Sequence, residues 1–190
     1  MTNKLSLYCI IFISIFTVIL NFSHHRWNNE NKVIEWDVKS YYAYLPATFI
    51  YNDLSLEFTK DNPEKFNDLI WPIETPLKKK AIITTMGMSI LYSPFFAVAH
   101  LYAKNSEYLA DGYSVPYRFA LVFSSLFYVL IGLFFLKKTL SIFYEDSISA
   151  LVILAIGLGT NLLYYYSYEA AMPHAYNFSL ISIFMYLTIK

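Results

Sequence analysis

Two stretches carry side chains able to do chemistry in an otherwise apolar chain. The first reads Glu35-Trp36-Asp37-Val38-Lys39-Ser40-Tyr41-Tyr42-Ala43-Tyr44-Leu45-Pro46. Helical spacing sets Asp37, Tyr41, Tyr44 and Thr48 on one stripe, with Val38, Tyr42, Leu45 and Phe49 beside it. A short helix lying in a membrane interface, ended or kinked near Pro46, would hold Asp37 at its start. The nearby bilayer lowers the dielectric there. A carboxylate so placed suits a general base toward an incoming hydroxyl, or a metal ligand. The same position suits a helix N-cap, a purely structural task. The second stretch is YSYEAAMPHAYNF, where Glu169 is the one charged residue from 148 to 189. Ionisable groups at membrane depth are functional candidates by default, although at the water boundary their cost largely vanishes. Pro173 begins a helix comfortably, which puts His174 in the first turn. An imidazole there can donate to an anionic ligand; an interfacial residue without a task is the alternative.

Two basic sites could meet an anion. Arg118 follows Pro116-Tyr117 at the start of an apolar run, and its planar fork matches phosphate oxygens. A snorkelling anchor that sets helix depth is the competing reading. Lys78-Lys79-Lys80 could attract lipid phosphate, Lys80 among them, or simply be a solvated loop. The chain has no Gly-rich phosphate loop, no HExxH and no CxxC. His24-His25 would need ligands from elsewhere to hold a metal. The Asn-x-Ser matches at Asn21 and Asn177 lie inside apolar runs and are set aside.

These residues sit in a chain of 190, of which 57% are hydrophobic, 19% aromatic and 15% charged. Soluble domains carry roughly a quarter charged residues. The mean hydropathy is +0.42, which points to a membrane protein and excludes a disordered or disulfide-stapled one. Fourteen basic and fourteen acidic residues give no net charge, so no nucleic-acid partner is expected. The single cysteine, Cys9, can form no intramolecular disulfide. Residues 23–83 hold 17 of the 28 charges, a polar block between apolar stretches.

The expected fold is all-α: a polytopic transmembrane bundle with a large extracytoplasmic first loop containing interfacial helices. A bilayer core of about 30 Å needs roughly 20 apolar residues as helix. Spans are expected at 5–22, 117–136, 148–168 and 173–190. The first reads as an uncleaved anchor, since no small-x-small cleavage site follows. The loop would run over 23–115, with juxtamembrane or re-entrant helices at 37–50 and 82–103. The latter has the length to span, but Pro94 and Gly87 favour a re-entrant form. On that reading Lys4, Lys137-Lys138 and Lys190 share one face, which the positive-inside rule makes cytoplasmic; Lys78–Lys80 on the other face weighs against it. Most of the 18 tyrosines are expected at membrane-water boundaries. The helix opening at Pro173 looks unfinished at Lys190, so the chain is expected to be the front part of a longer protein.

The order of these pieces resembles the N-terminal part of a GT-C fold glycosyltransferase, the integral-membrane class that includes protein O-mannosyltransferases and aminoarabinose transferases. The resemblance rests on WDVKSYYAYLP at 36–46, MGMSILYSPFFAVAH at 86–100, DGYSVPYRFALVFSSLFYVLIGLFFLKK at 111–138 and LGTNLLYYYSYEAAMPHAYNFSL at 158–180. Each piece is loose alone, and the order and spacing are more specific. The resemblance implies transfer of a sugar from a polyprenyl-phosphate donor to an acceptor outside the bacterial cytoplasmic membrane, be it lipid, glycan or protein. It implies that Asp37 is the catalytic acid of the first outer loop, either a base or the ligand of a divalent cation. The second loop acid stays open between Asp53 and Glu74. Tyr41, Lys80, Arg118, Glu169 and His174 are the substrate-binding candidates. The chain departs from the family in lacking later helices and a C-terminal soluble domain. Two rivals stand beside this reading. A transporter or flippase subunit would put ionisable groups at midplane, whereas here they lie in the loop and at span ends. A non-catalytic membrane scaffold or truncated product is the other.

Overall fold

The computed structural model describes residues 4–190. The chain is 68% helix and 3% strand. In order, the elements are α1 (Leu5–His24), a 3-10 turn (Arg26–Asn28), α2 (Asp37–Phe49), a 3-10 turn (Glu57–Lys60), α3 (Pro63–Phe66), β1 (Pro72–Glu74), β2 (Lys80–Ile82), α4 (Gly87–Lys104), α5 (Val115–Phe143), α6 (Asp146–Gly159), α7 (Leu162–Ser167) and α8 (Pro173–Ile189). β1 and β2 form an antiparallel hairpin with Ile73 opposite Ala81. The chain divides into a terminal unit, which runs up to Arg26 and resumes over Val122–Lys190, and a central unit, Trp27–Leu121.

In the terminal unit, α1 packs along α6. α1 buries Ser6, Cys9, Ile10, Ile13, Thr17 and Asn21, one residue every three or four, and α6 buries Ser149, Ala150, Ile153 and Gly157. The seam is tight enough that a Cβ on Gly157 would come within 2.6 Å of Ile13 Cδ1. Small residues let helix axes approach closely, the usual solution where helices associate without water to drive them together. The bulky side chains point the other way: Phe12, Ile15, Phe16 and Ile19 are exposed on α1, and Phe127, Leu151 and Phe184 on α5, α6 and α8. α5 and α8 repeat the pattern. A Cβ on Gly132 would lie 2.7 Å from the Phe178 ring, and the Tyr176 hydroxyl reaches Ser124 and Ser125.

Asp146 closes α1 from outside. Its carboxylate accepts the Leu5 N–H at 2.7 Å, the Ser6 N–H at 3.3 Å and the Ser6 hydroxyl. The first amides of a helix have no partner of their own, so a carboxylate there satisfies them and meets the positive end of the dipole.

Among the described residues two helices are long and apolar enough to cross a membrane, Leu5–Asn28 at mean hydropathy 2.3 and Val115–Phe143 at 2.5. The apolar run 148–168, expected as one span, is instead two helices broken at Thr160-Asn161. Thr160 makes the break inexpensive: its hydroxyl donates to Ile156 O at 2.8 Å and accepts the Leu162 N–H at 3.1 Å. Tyr166 then donates to Gly157 O at 2.5 Å, which satisfies another late carbonyl of α6.

The central unit has the opposite interior. Tyr42 is wholly buried, and its ring meets Tyr92, Phe96 and Tyr113 at centroid distances of 6.4, 6.0 and 5.8 Å. Tyr113 continues to Phe66, and Phe66 to Tyr51 and Phe58, which stack at 4.1 Å. Tyr42 also donates to Gly112 O at 2.5 Å. Gly112 has φ +87, and a Cβ there would lie 2.8 Å from Pro46 Cβ, so both conformation and space ask for glycine. α4 runs through Pro94 without a break. Proline removes the donor for the carbonyl four residues back, Ile90, and the Ser93 hydroxyl replaces it at 2.8 Å.

Candidate functional site

Asp37 is the first residue of α2, and it is exposed. It is not the N-cap that its position also suited. That place belongs to Trp36, which caps with no side-chain bond. The Asp37 carboxylate makes no hydrogen bond or ion pair with the described residues. The chain approaches it through strained backbone: Val33 has φ 74 and Trp36 has φ 50. For a β-branched or bulky residue such values are outliers that cost about 1–3 kcal/mol and persist only where the surroundings fix them. Val33 is fixed by burial at 3% exposure. Trp36 is itself 60% exposed, so burial of its ring is not what holds it there.

Tyr41 stands one helical turn beyond Asp37 on the same stripe, half-buried, and its carbonyl accepts the Ser89 hydroxyl from α4. On the same helix Lys39 lies over the Trp71 ring at 4.7 Å. Lys80 opens β2, which packs against α2. Its ammonium is half-buried and donates to the Thr59 hydroxyl at 2.8 Å. Thr59 in turn donates to Leu56 O at 2.7 Å, so Lys80 is anchored to the loop rather than trailing in solvent.

Arg118 is placed differently from either sequence reading. It is 5% exposed, and its guanidinium donates to Trp27 O at 2.7 Å and Tyr113 O at 2.5 Å. Those donors pin the two ends of the central unit together through main-chain carbonyls. Glu169 and His174 belong to the terminal unit. Glu169 faces Arg26 at 3.8 Å, and Arg26 lies over the Tyr168 ring at 5.7 Å. His174, exposed in the first turn of α8, lies against the Tyr165 ring at 3.9 Å. The loop carrying Glu169 is tied to α5 by the Ala171 N–H donating to Ser125 at 2.7 Å. The candidates therefore form two groups: Asp37, Tyr41, Lys80 and Arg118 in one unit, Glu169 and His174 in the other.

Sequence reasoning passed over Asp111. Its carboxylate accepts Lys65 Nζ at 2.8 Å and the amides of Tyr113 and Ser114 at 2.8 and 3.0 Å. The Asp-Gly pair at 111–112 was the available signal, since that dipeptide marks a turn. The second loop acid stays divided. Asp53 is engaged by the Ser55 hydroxyl, which holds its carboxyl below the ordinary range, together with the Phe58 amide. Glu74, at the end of β1, is exposed.

Burial pushes the Tyr42 and Tyr113 hydroxyls well above the ordinary phenol range. The Tyr113 hydroxyl is buried with no hydrogen-bond partner among the described residues. His100 contacts the Tyr117 hydroxyl at 2.6 Å. Burial first, and the charge of Lys104 second, lower its pKa. Among the described residues no three His, Cys, Asp or Glu side chains gather as a metal site.

No protein family matches the chain, and no curated protein or solved structure matches it either.

Proposed function

We propose that the chain is a polytopic membrane module of a glycosyltransferase, moving a sugar from a polyprenyl-phosphate donor to an extracytoplasmic acceptor with Asp37 as the base. The observation that carries the catalytic part is the backbone at Val33–Trp36. Val33 and Trp36 there are strained, and the segment delivers an exposed carboxylate, without a hydrogen bond or ion pair among the described residues, to the first turn of α2, where it also meets the positive end of the helix dipole. Strain of that kind clusters at functional sites. The membrane part is supported by the terminal unit, which exposes Phe12, Ile15, Ile19, Phe127, Leu151 and Phe184 while serines, glycines and the hydroxyls of Tyr166 and Tyr176 face inward. The gathering of Lys138 and Lys190 around Tyr186 and of α1's first residues around Asp146 supports a cytoplasmic N-terminus.

In the proposed reaction the acceptor oxygen attacks the anomeric carbon as its proton passes to the Asp37 carboxylate. The bond from that carbon to the phosphate oxygen breaks, and polyprenyl phosphate leaves with both electrons. Lys80, anchored by Thr59, meets the developing charge. Arg118 acts at a remove by holding the central unit closed. Glu169 and His174 remain substrate candidates of the terminal unit.

One observation favours a transporter: a helix interrupted at Thr160-Asn161, the device that transporters use to expose backbone to substrate. Here Thr160 and Tyr166 already bond the polar groups around the break. The deciding experiment is sugar transfer in membranes supplied with a mixed polyprenyl-phosphate donor pool. The chain, alone or within a longer product of its reading frame, is compared with Asp37→Asn. Loss of a positioned base reduces rates by about 10²–10⁴-fold. Transfer that survives the substitution unchanged overturns the assignment of Asp37, and absence of transfer from every form leaves the scaffold reading in its place.

A further inference from the structure

The terminal unit contains a pocket that the transfer reading does not use. It is a half-open cavity of about 170 Å³ lined by Lys137, Lys138, Ser141, Tyr144 and Asp146, at the junction of α5 and α6. That is room for several waters or one phosphate group. Among the described residues neither lysine forms an ion pair. The Lys138 ammonium is held over the rings of Phe134, Phe135 and Tyr186 at 4.8, 5.7 and 5.3 Å. Lys190 approaches the same Tyr186 ring at 5.9 Å. Cation–π contact positions an ammonium without neutralising it.

Of the acids nearby, Glu145 is exposed, and Asp146, which lines the pocket within the field of Lys137, has both oxygens turned to the first amides of α1 and to Ser6, so neither forms an ion pair with the two lysines. Tyr144 lines the pocket at 54% exposure, and the residues before it in the chain, Ile142 and Phe143, are 49% and 61% exposed. Positive charge bounded by apolar side chains, at the end of a long apolar helix, fits a ligand that is anionic at one end and oily at the other.

We infer that this pocket binds the phosphate of an anionic phospholipid headgroup, with Lys137 and Lys138 as its cations and the acyl chains lying along α5. The inference rests on the membrane reading above and not on sugar transfer. The full chain is first tested for retention in membranes washed with alkaline carbonate. Release there overturns the membrane reading, and this inference with it. The retained protein is then purified, and bound lipid is counted by native mass spectrometry after exposure to equal phosphatidylglycerol and phosphatidylcholine. The wild type is expected to keep phosphatidylglycerol at least about fivefold over phosphatidylcholine. The K137Q/K138Q variant is expected to fall toward parity, K137R/K138R to keep the preference, and K78Q/K79Q to leave it unchanged. A preference that survives K137Q/K138Q overturns the assignment. Inorganic phosphate shielding the two lysines from acylation as well as phosphatidylglycerol does overturns the lipid as the source.

Discussion

The terminal and central units solve the same problem with opposite residues. In the central unit the largest side chains go inside: Tyr42, Tyr92 and Tyr117 are wholly buried, the Tyr42 ring meets those of Tyr92 and Phe96, and Phe96 meets Tyr117. In the terminal unit the seam of α1 and α6 is built from serine, threonine, alanine, glycine and a few aliphatics; two rings, Tyr166 and Tyr176, are buried with their hydroxyls bonded, and the phenylalanines Phe12, Phe16, Phe127 and Phe184 lie outside. The hydrophobic effect drives bulky apolar groups away from water, so a core of aromatics is what a chain folding against water builds. Where the surroundings are themselves apolar, that drive disappears, and close backbone approach and hydrogen bonds between helices take over. If the terminal unit lies in a bilayer and the central one in water, exposure of a leucine or phenylalanine carries a different meaning in each.

The largest effect should come from removing the central ring. Tyr42→Ala is expected to destabilise the central unit by about 3–5 kcal/mol, read as a lower urea midpoint by tryptophan fluorescence. Tyr42→Phe, which loses only the bond to Gly112 O, should cost about 1 kcal/mol. Equal effects from both would mean that the hydroxyl and not the ring network holds the unit. The sharpest test of the comparison pairs two exposed residues. Phe127 in α5 is 51% exposed and Leu77 in the β1–β2 turn is 80% exposed. An aspartate at the middle of a membrane helix costs about 2.5–3.5 kcal/mol, so Phe127→Asp should reduce the carbonate-resistant fraction markedly. Leu77→Asp should stay within about 0.5 kcal/mol. If the two behave alike, the units do not face different solvents.

The smallest effect concerns pH. The Ser55 hydroxyl lowers the Asp53 carboxyl pKa in the fold. The stability that this adds is present above the unfolded value of about 3.9 and is lost as pH falls through the lower folded value. The urea midpoint of the central unit should therefore drop between pH 5 and pH 3, and the Asp53→Asn variant should show a smaller drop.

The helical class was legible because its signals are local. Pro173 is accepted at the first position of α8, and the apolar run after Tyr117 is too long to be anything but helix. The stripe from Asp37 to Phe49 carried α2 even through Pro46. What stayed hidden depends on distant partners. The bonds of Arg118 to the Trp27 carbonyl and of Asp146 to α1 join residues 91 and 141 apart, and no periodicity records such pairs. The break at Thr160-Asn161 was hidden for a related reason: the apolar run continues across it, and a single threonine hydroxyl serves both helix ends. Of the candidate site, the carboxylate and its helix were legible, while the strain at Val33 and Trp36 was not, because neither residue type advertises a positive φ.

The cap that Asp146 places on α1 also sets an order in time. Leu5 leaves the ribosome first, yet the carboxylate that satisfies its amide is 141 residues behind it. At about 5–20 residues per second, the first helix waits roughly 7 to 28 seconds with its leading amides open to whatever surrounds it. Closure of the terminal unit is thereby postponed until α6 has been made, by which time the whole central unit is already outside the ribosome or in its exit path.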